Sequence, residues 1–106
     1  MDNRNVADIL GDVARMLELE GEDAFRIRAY RRASENVATL NGDINEYHRE
    51  GRLREIPGVG KAIGELIAEL LETGTSPYYE ALKKQTPPEL FDIINVPGIG
   101  RRTATR

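Results

Sequence analysis

Cysteine is absent from all 106 residues, tryptophan is absent too, and only 6% of the chain is aromatic. Without thiols there can be no disulfide framework, no thiolate zinc site and no cysteine nucleophile, and a reducing, cytoplasmic setting is the natural expectation. No apolar run approaches the roughly 20 residues that a membrane-spanning helix needs. The opening Met1-Asp2-Asn3-Arg4 does not lead into a signal-peptide core. A membrane partner is therefore not expected. The sole histidine, His48, has no neighbouring side chain at triad or metal-ligand spacing and reads as a solvated residue.

What is present is the composition of an ordinary globular domain, 40% hydrophobic and 31% charged. The formal charge of −3 argues on its face against an anionic partner. Its distribution argues the other way. Positive charge is concentrated in three short windows, Arg26 to Arg32, Arg52 to Lys61, and Lys83 to Arg106, so an acidic chain can still present a basic face.

Apolar spacing points to an all-α fold, a small helical bundle. Val6, Ile9, Leu10, Val13 and Leu17 line one face of a helix over Asn5 to Leu19. A second helix is expected from Ala24 to Leu40, burying Phe25, Ala29, Ala33, Val37 and Leu40, with Asn41-Gly42 ending it. A short third, Asp43 to Glu50, is capped by Asp43 and closed by Gly51. The fourth, Lys61 to Glu72, carries Ile63, Leu66, Ile67, Leu70 and Leu71 on one stripe and stops at Gly74. Ser76-Pro77 starts a fifth, to about Lys84, and another short helix fits Pro88 to Ile94. Arg101 to Arg106 opens a further helix without an apolar face, so the chain reads as part of a longer protein. The expected organisation is a domain over 1–75 and the start of a second unit over 76–106.

One hexapeptide occurs twice. Ile56-Pro57-Gly58-Val59-Gly60-Lys61 is echoed 40 residues later by Val96-Pro97-Gly98-Ile99-Gly100-Arg101, each copy following one short helix and opening another. The Gly-x-Gly turn lets the backbone fold sharply and strips away side chains that would keep a phosphate from the amide groups. The helix that follows begins with unpaired N–H groups and the positive end of its dipole, where a phosphate oxygen fits. Lys61 or Arg101 adds a charge at that point. Nothing in this arrangement reads a base, so binding should be independent of sequence. Other glycine-rich readings fail on spacing: a P-loop would need Gly at 55 and Ser or Thr at 62, where Glu55 and Ala62 stand. A dinucleotide fingerprint needs a preceding strand, and Arg52 to Ile56 is too short and too charged to be one.

These residues resemble the helix-hairpin-helix motif, a DNA-backbone binder. Together with Phe25-Arg26-Ile27-Arg28-Ala29-Tyr30-Arg31-Arg32-Ala33, they resemble more specifically the amino-terminal region of the family X, polymerase-beta-like DNA polymerases in their bacterial form. The resemblance implies a four-helix domain that grips the 5′-phosphate side of gapped or nicked DNA during repair gap filling, with the second hairpin opening the next subdomain. Carried over by position, it assigns Arg26 and Tyr30 to the 5′-phosphate and gap side, Arg54 to the approach, and Gly58, Val59, Gly60 and Lys61 to the first hairpin. Gly98, Ile99, Gly100 and Arg101 belong to the second. Arg26 and Tyr30 do share a helical stripe, while Arg28, Arg31 and Arg32 project elsewhere; Tyr30 could equally be a core-edge tyrosine. The resemblance also implies a monovalent cation, Na+ or K+, on the backbone carbonyls of Arg54, Ile56 and Val59, and of Ile94, Val96 and Ile99.

One departure from the family stands out. Some members are deoxyribose-phosphate lyases whose Schiff-base lysine lies six residues past the second glycine of the first hairpin, and that position here is Leu66. A leucine offers no amine, and arginine stays protonated. Lyase activity is expected to be weak or absent, with Lys61 or the terminal amine the only stand-ins. The family's polymerase chemistry, with its Mg2+ ions, belongs to a palm domain that this chain does not contain. Two readings compete with DNA binding: a protein-interaction module with inert hairpins, and a lyase.

Overall fold

A computed structural model describes residues 1–85, and every regular element among them is helical. The short helix expected over 88–94 and the second hairpin, with Gly98, Ile99, Gly100 and Arg101 and the carbonyls of Ile94, Val96 and Ile99, lie outside the described residues.

Helix α1 runs from Asn3 to Leu19 and starts two residues earlier than apolar spacing alone indicates. The reason is a capping box: the Asp2 carboxylate accepts from the Asn5 N–H at 2.9 Å, and Asn5 Oδ1 accepts from the Asp2 N–H at 3.1 Å. Asn3 then joins this end to the next layer, donating to the Gly42 carbonyl and accepting from the Ile44 N–H. Helix α2, Ala24–Ala38, is capped by Asp23 and packs along α1. Gly11 makes room for that approach, since a Cβ there would sit 3.4 Å from Ser34 Oγ, which itself donates to the Ala7 carbonyl at 2.7 Å.

Three of the residues expected in the α2 core behave otherwise. Phe25 is 73% exposed and Ala29 and Leu40 are only partly buried, while Tyr30, Ala33 and Val37 make the buried stripe. The cause is geometric. A run of four-residue steps drifts about 40° per step around a helix of 3.6 residues per turn, so Phe25 has rotated out of the face that Val37 occupies.

Helix α3 is Ile44–Arg49, with Asp43 as its cap. The backbone N–H of Asn45, and then its side-chain amide, donate to the Asp43 carboxyl and hold it below its ordinary pKa, as a working cap should. A single 3-10 turn over Leu53–Glu55 leads into the hairpin, and α4, Lys61–Thr73, ends on Gly74 at φ +81, whose N–H reaches the Leu70 carbonyl. Helix α5, Pro77–Gln85, follows Ser76, a fully buried residue whose Oγ accepts from the Tyr79 N–H. Tyr79 and Leu82 of α5 join the same core as α1 and α4. The helix that sequence assigns to the following unit therefore packs with the first one.

His48 differs from its expected solvated role. Its Nε2 meets Glu72 Oε2 at 2.9 Å, linking α3 to α4.

Candidate nucleic-acid interface

The hairpin is a tight turn closed by the Val59 N–H donating to the Ile56 carbonyl at 3.0 Å. Pro57 supplies the fixed φ of the first corner and Gly58, at φ +87, the left-handed second corner, the arrangement of a type II turn. Ile56 and Val59 are buried and pin the turn between helices, while Pro57, Gly58, Gly60 and Lys61 are exposed. The amide face is open to a ligand. Gly60 caps α4 without any side-chain hydrogen bond, so among the described residues no side chain caps the first N–H groups of α4. A Cβ on Gly60 would meet nothing within 4 Å, so a backbone or phosphate can come close.

Helix α2 braces this turn from behind. Asn36 Nδ2 donates to the Pro57 carbonyl at 2.6 Å, and a Cβ built on Gly58 would lie 3.2 Å from Asn36 Nδ2 and 3.4 Å from Arg32 Cγ. Gly58 is thus required twice, by its backbone angle and by the space it leaves. Arg54 lies across the start of α4, its Cγ 3.5 Å from where a Cβ on Gly64 would be.

The ion pairs sort the basic residues. Arg26, Arg31, Arg49, Arg52 and Lys83 each reach a carboxylate. Arg32, Arg54 and Lys61, which flank the hairpin, reach none among the described residues. Arg4, Arg15, Arg28 and Lys84 reach none either, but only at the hairpin do such cations flank an exposed Gly-x-Gly turn, an arrangement that suits an anion.

Arg26 and Tyr30 sit elsewhere, at the junction of α2 and α5. Arg26 Nη1 meets Glu22 at 3.5 Å and Nη2 donates to the Tyr78 hydroxyl at 2.7 Å. The Tyr78 ring stacks on Tyr30 with centroids 6.3 Å apart. Tyr30 is only 6% exposed, so it forms the edge of the core here. Burial, and then Tyr78, push its phenol up to about 12, and it stays neutral throughout the physiological range.

The three carbonyls expected to hold a cation can be tested against the turn. Pro57 has no N–H, so the 3-10 turn cannot continue onto the Arg54 carbonyl, and neither it nor the Val59 carbonyl accepts a hydrogen bond from any described residue. Ile56 has one lone pair engaged by Val59. This oxygen-only set suits a hard cation such as Na+ or K+.

Two features have no signature in the local sequence. Phe25 projects into solvent with the Arg28 guanidinium 5.9 Å from its ring centre, beside a groove floored by Ala29 and bounded by Arg32. Arg32 and Asn36 converge on the hairpin although they precede it by more than 20 residues. Leu66, the position of the family's lyase lysine, is 4% exposed and belongs to the core.

The sequence matches the helix-hairpin-helix domain family over residues 1–76. The chain belongs to that family. This helix-hairpin-helix domain is also 28% identical, over 100 residues, to the DNA polymerase/3′-5′ exonuclease PolX of Bacillus subtilis (strain 168). That similarity covers 94% of this chain and 17% of the length of the relative. The resemblance to family X polymerases is thus met by a relative aligned over nearly the whole sequence. The matched domain ends at 76, whereas the core of the fold takes in Tyr79 and Leu82 of α5.

Proposed function

We propose that the chain binds DNA through its backbone, without sequence preference, as the amino-terminal part of a family X DNA polymerase that fills gaps during repair. One observation carries the reading: the exposed Gly60 and Lys61 at the start of α4, where no side chain caps the helix among the described residues, lie near Arg32 and Arg54, which like Lys61 have no carboxylate partner among the described residues. The similarity to PolX supports the polymerase context.

In this reading a strand lays a phosphate oxygen on the N–H groups at the start of α4, and Lys61 and Arg54 neutralise it. The carbonyls of Arg54, Ile56 and Val59 would hold a monovalent cation behind the turn, supplying further positive charge to the same phosphate. Gapped or nicked DNA is the preferred form, with Arg26 on the 5′-phosphate side. Its contact with Glu22 is long and both side chains are nearly half exposed, so it is a weak competitor for a phosphate dianion. Phe25, with Arg28 beside it, offers an aromatic face on which an unpaired base can stack.

Fluorescence binding to gapped DNA, with and without its 5′-phosphate, over a salt series tests the proposal. Engagement of about three to five phosphates gives a log-log slope of roughly −2 to −5. The phosphorylated gap should bind several-fold tighter. Equal affinity for the two gaps would remove the 5′-phosphate role of Arg26, and binding without salt dependence would favour a protein-interaction module.

A further inference from the structure

The hairpin sequence holds only part of the proposed phosphate site. We propose that α2 supplies the rest, with Arg32 as a direct phosphate contact and Asn36 as the residue that positions the hairpin amides. This rests on the DNA-binding reading above and extends it to two residues outside the hairpin.

Arg32 and Asn36 are four residues apart in α2 and so lie on neighbouring turns of one face. Between them a Cβ on Gly58 would come within 3.5 Å of the Ala33 backbone nitrogen, so the turn sits directly on the helix. That approach fixes the stem of Arg32 beside the turn, with Cγ 3.4 Å from the same built Cβ. Arg32 is exposed and has no carboxylate partner among the described residues, unlike Arg31 next to it, which is bound to Glu18 at 3.1 Å. A guanidinium whose stem is held beside the turn, and which has no carboxylate partner among the described residues, has an anionic oxygen as its natural complement.

Asn36 does different work. Its 2.6 Å bond to the Pro57 carbonyl holds one corner of the turn, and the orientation of that corner sets where the N–H groups of Gly60 and Lys61 point. The side chain carries no charge and turns its amide donor toward the protein. It therefore acts on DNA only through the backbone it holds.

The two roles leave different marks on a salt series. With the full chain and fluorescein-labelled gapped DNA, Arg32→Gln should weaken binding about 3- to 10-fold near 0.1 M salt and flatten the log-log slope by about 0.7 to 0.9, the loss of one neutralised phosphate. Asn36→Ala should weaken binding by a similar factor with the slope unchanged within about 0.3, because no charge is removed. Arg49→Gln, which removes a cation of α3 already engaged by Glu46, should leave both quantities within twofold of wild type. An Arg32→Gln chain with the wild-type slope and affinity would overturn the proposal. So would an Asn36→Ala chain that folds and binds as wild type. Arg32 is exposed, so Arg32→Gln keeps the fold and decides the question even if Asn36→Ala proves too unstable to assay. A wild-type chain that shows no salt-dependent binding would instead sink the DNA reading itself, a separate result.

Discussion

The Tyr79 hydroxyl donates to Asp12 Oδ2 at 3.2 Å, tying α5 to the middle of α1. Burial raises the Asp12 carboxyl above its ordinary pKa of 3.8, the bond from Tyr79 pulls the other way, and Asp8, Arg15 and Lys83 contribute smaller effects. The Lys83 ammonium also lies 4.8 Å from the centre of the Tyr79 ring. Because the folded chain holds this proton more tightly than the unfolded one, Asp12 costs stability at neutral pH, and the cost fades as pH falls through the raised value toward 3.8.

Asp12→Asn keeps an acceptor for Tyr79 and removes the buried charge. It should raise the melting temperature at pH 7, and the gain should shrink as the pH approaches 4. Thermal melts at several pH values check this; a gain that grows toward acid would contradict the assignment.

The two hairpin glycines should separate stability from binding. Gly58→Ala forces a side chain to φ +87 and against Asn36, and should cost roughly 1 to 3 kcal/mol in chemical denaturation. Gly60 has ordinary backbone angles and open space, so Gly60→Val should keep stability within about 0.5 kcal/mol. Its branched side chain shields the amides, and affinity for DNA should fall about 3- to 10-fold. Comparing denaturation midpoints with binding isotherms resolves the pair.

Leu66 is a packing residue, and Leu66→Ala should cost about 2 to 5 kcal/mol, read as a lower denaturation midpoint.

Lyase chemistry has no amine at that position. Borohydride trapping on an incised abasic substrate should give little or no adduct with the wild-type chain; an efficient adduct that disappears in Lys61→Ala would assign the chemistry to Lys61 instead.

Much of the architecture could be read from local signals, because local physics sets it. Asp43 capping α3, Gly74 ending α4 and Ser76-Pro77 opening α5 each act within a few residues. The turn at Pro57-Gly58 is similarly self-declared. What spacing could not give was the direction of α2: Phe25 fits a four-residue ladder but drifts off the buried face, and Tyr30 takes the core edge. The site was half legible for the same reason. Lys61 and Arg54 adjoin the hairpin in sequence, whereas Arg32, Asn36 and the Tyr78 that holds Arg26 meet their partners only after helices pack. Pairing state was partly hidden too: the four-residue spacing of Glu22 and Arg26 is local, but Glu18 picks out Arg31 from a run of similar arginines only once α1 and α2 pack.

The bond from Asn36 to Pro57 spans 21 residues of chain. A peptide cut from the loop and its two flanking helices would carry the glycines and the lysine yet lose the strut that aims them. The smallest portable unit is therefore not the short repeated motif but the stretch from the second helix through the fourth, and a transplant into another scaffold must bring an equivalent support with it.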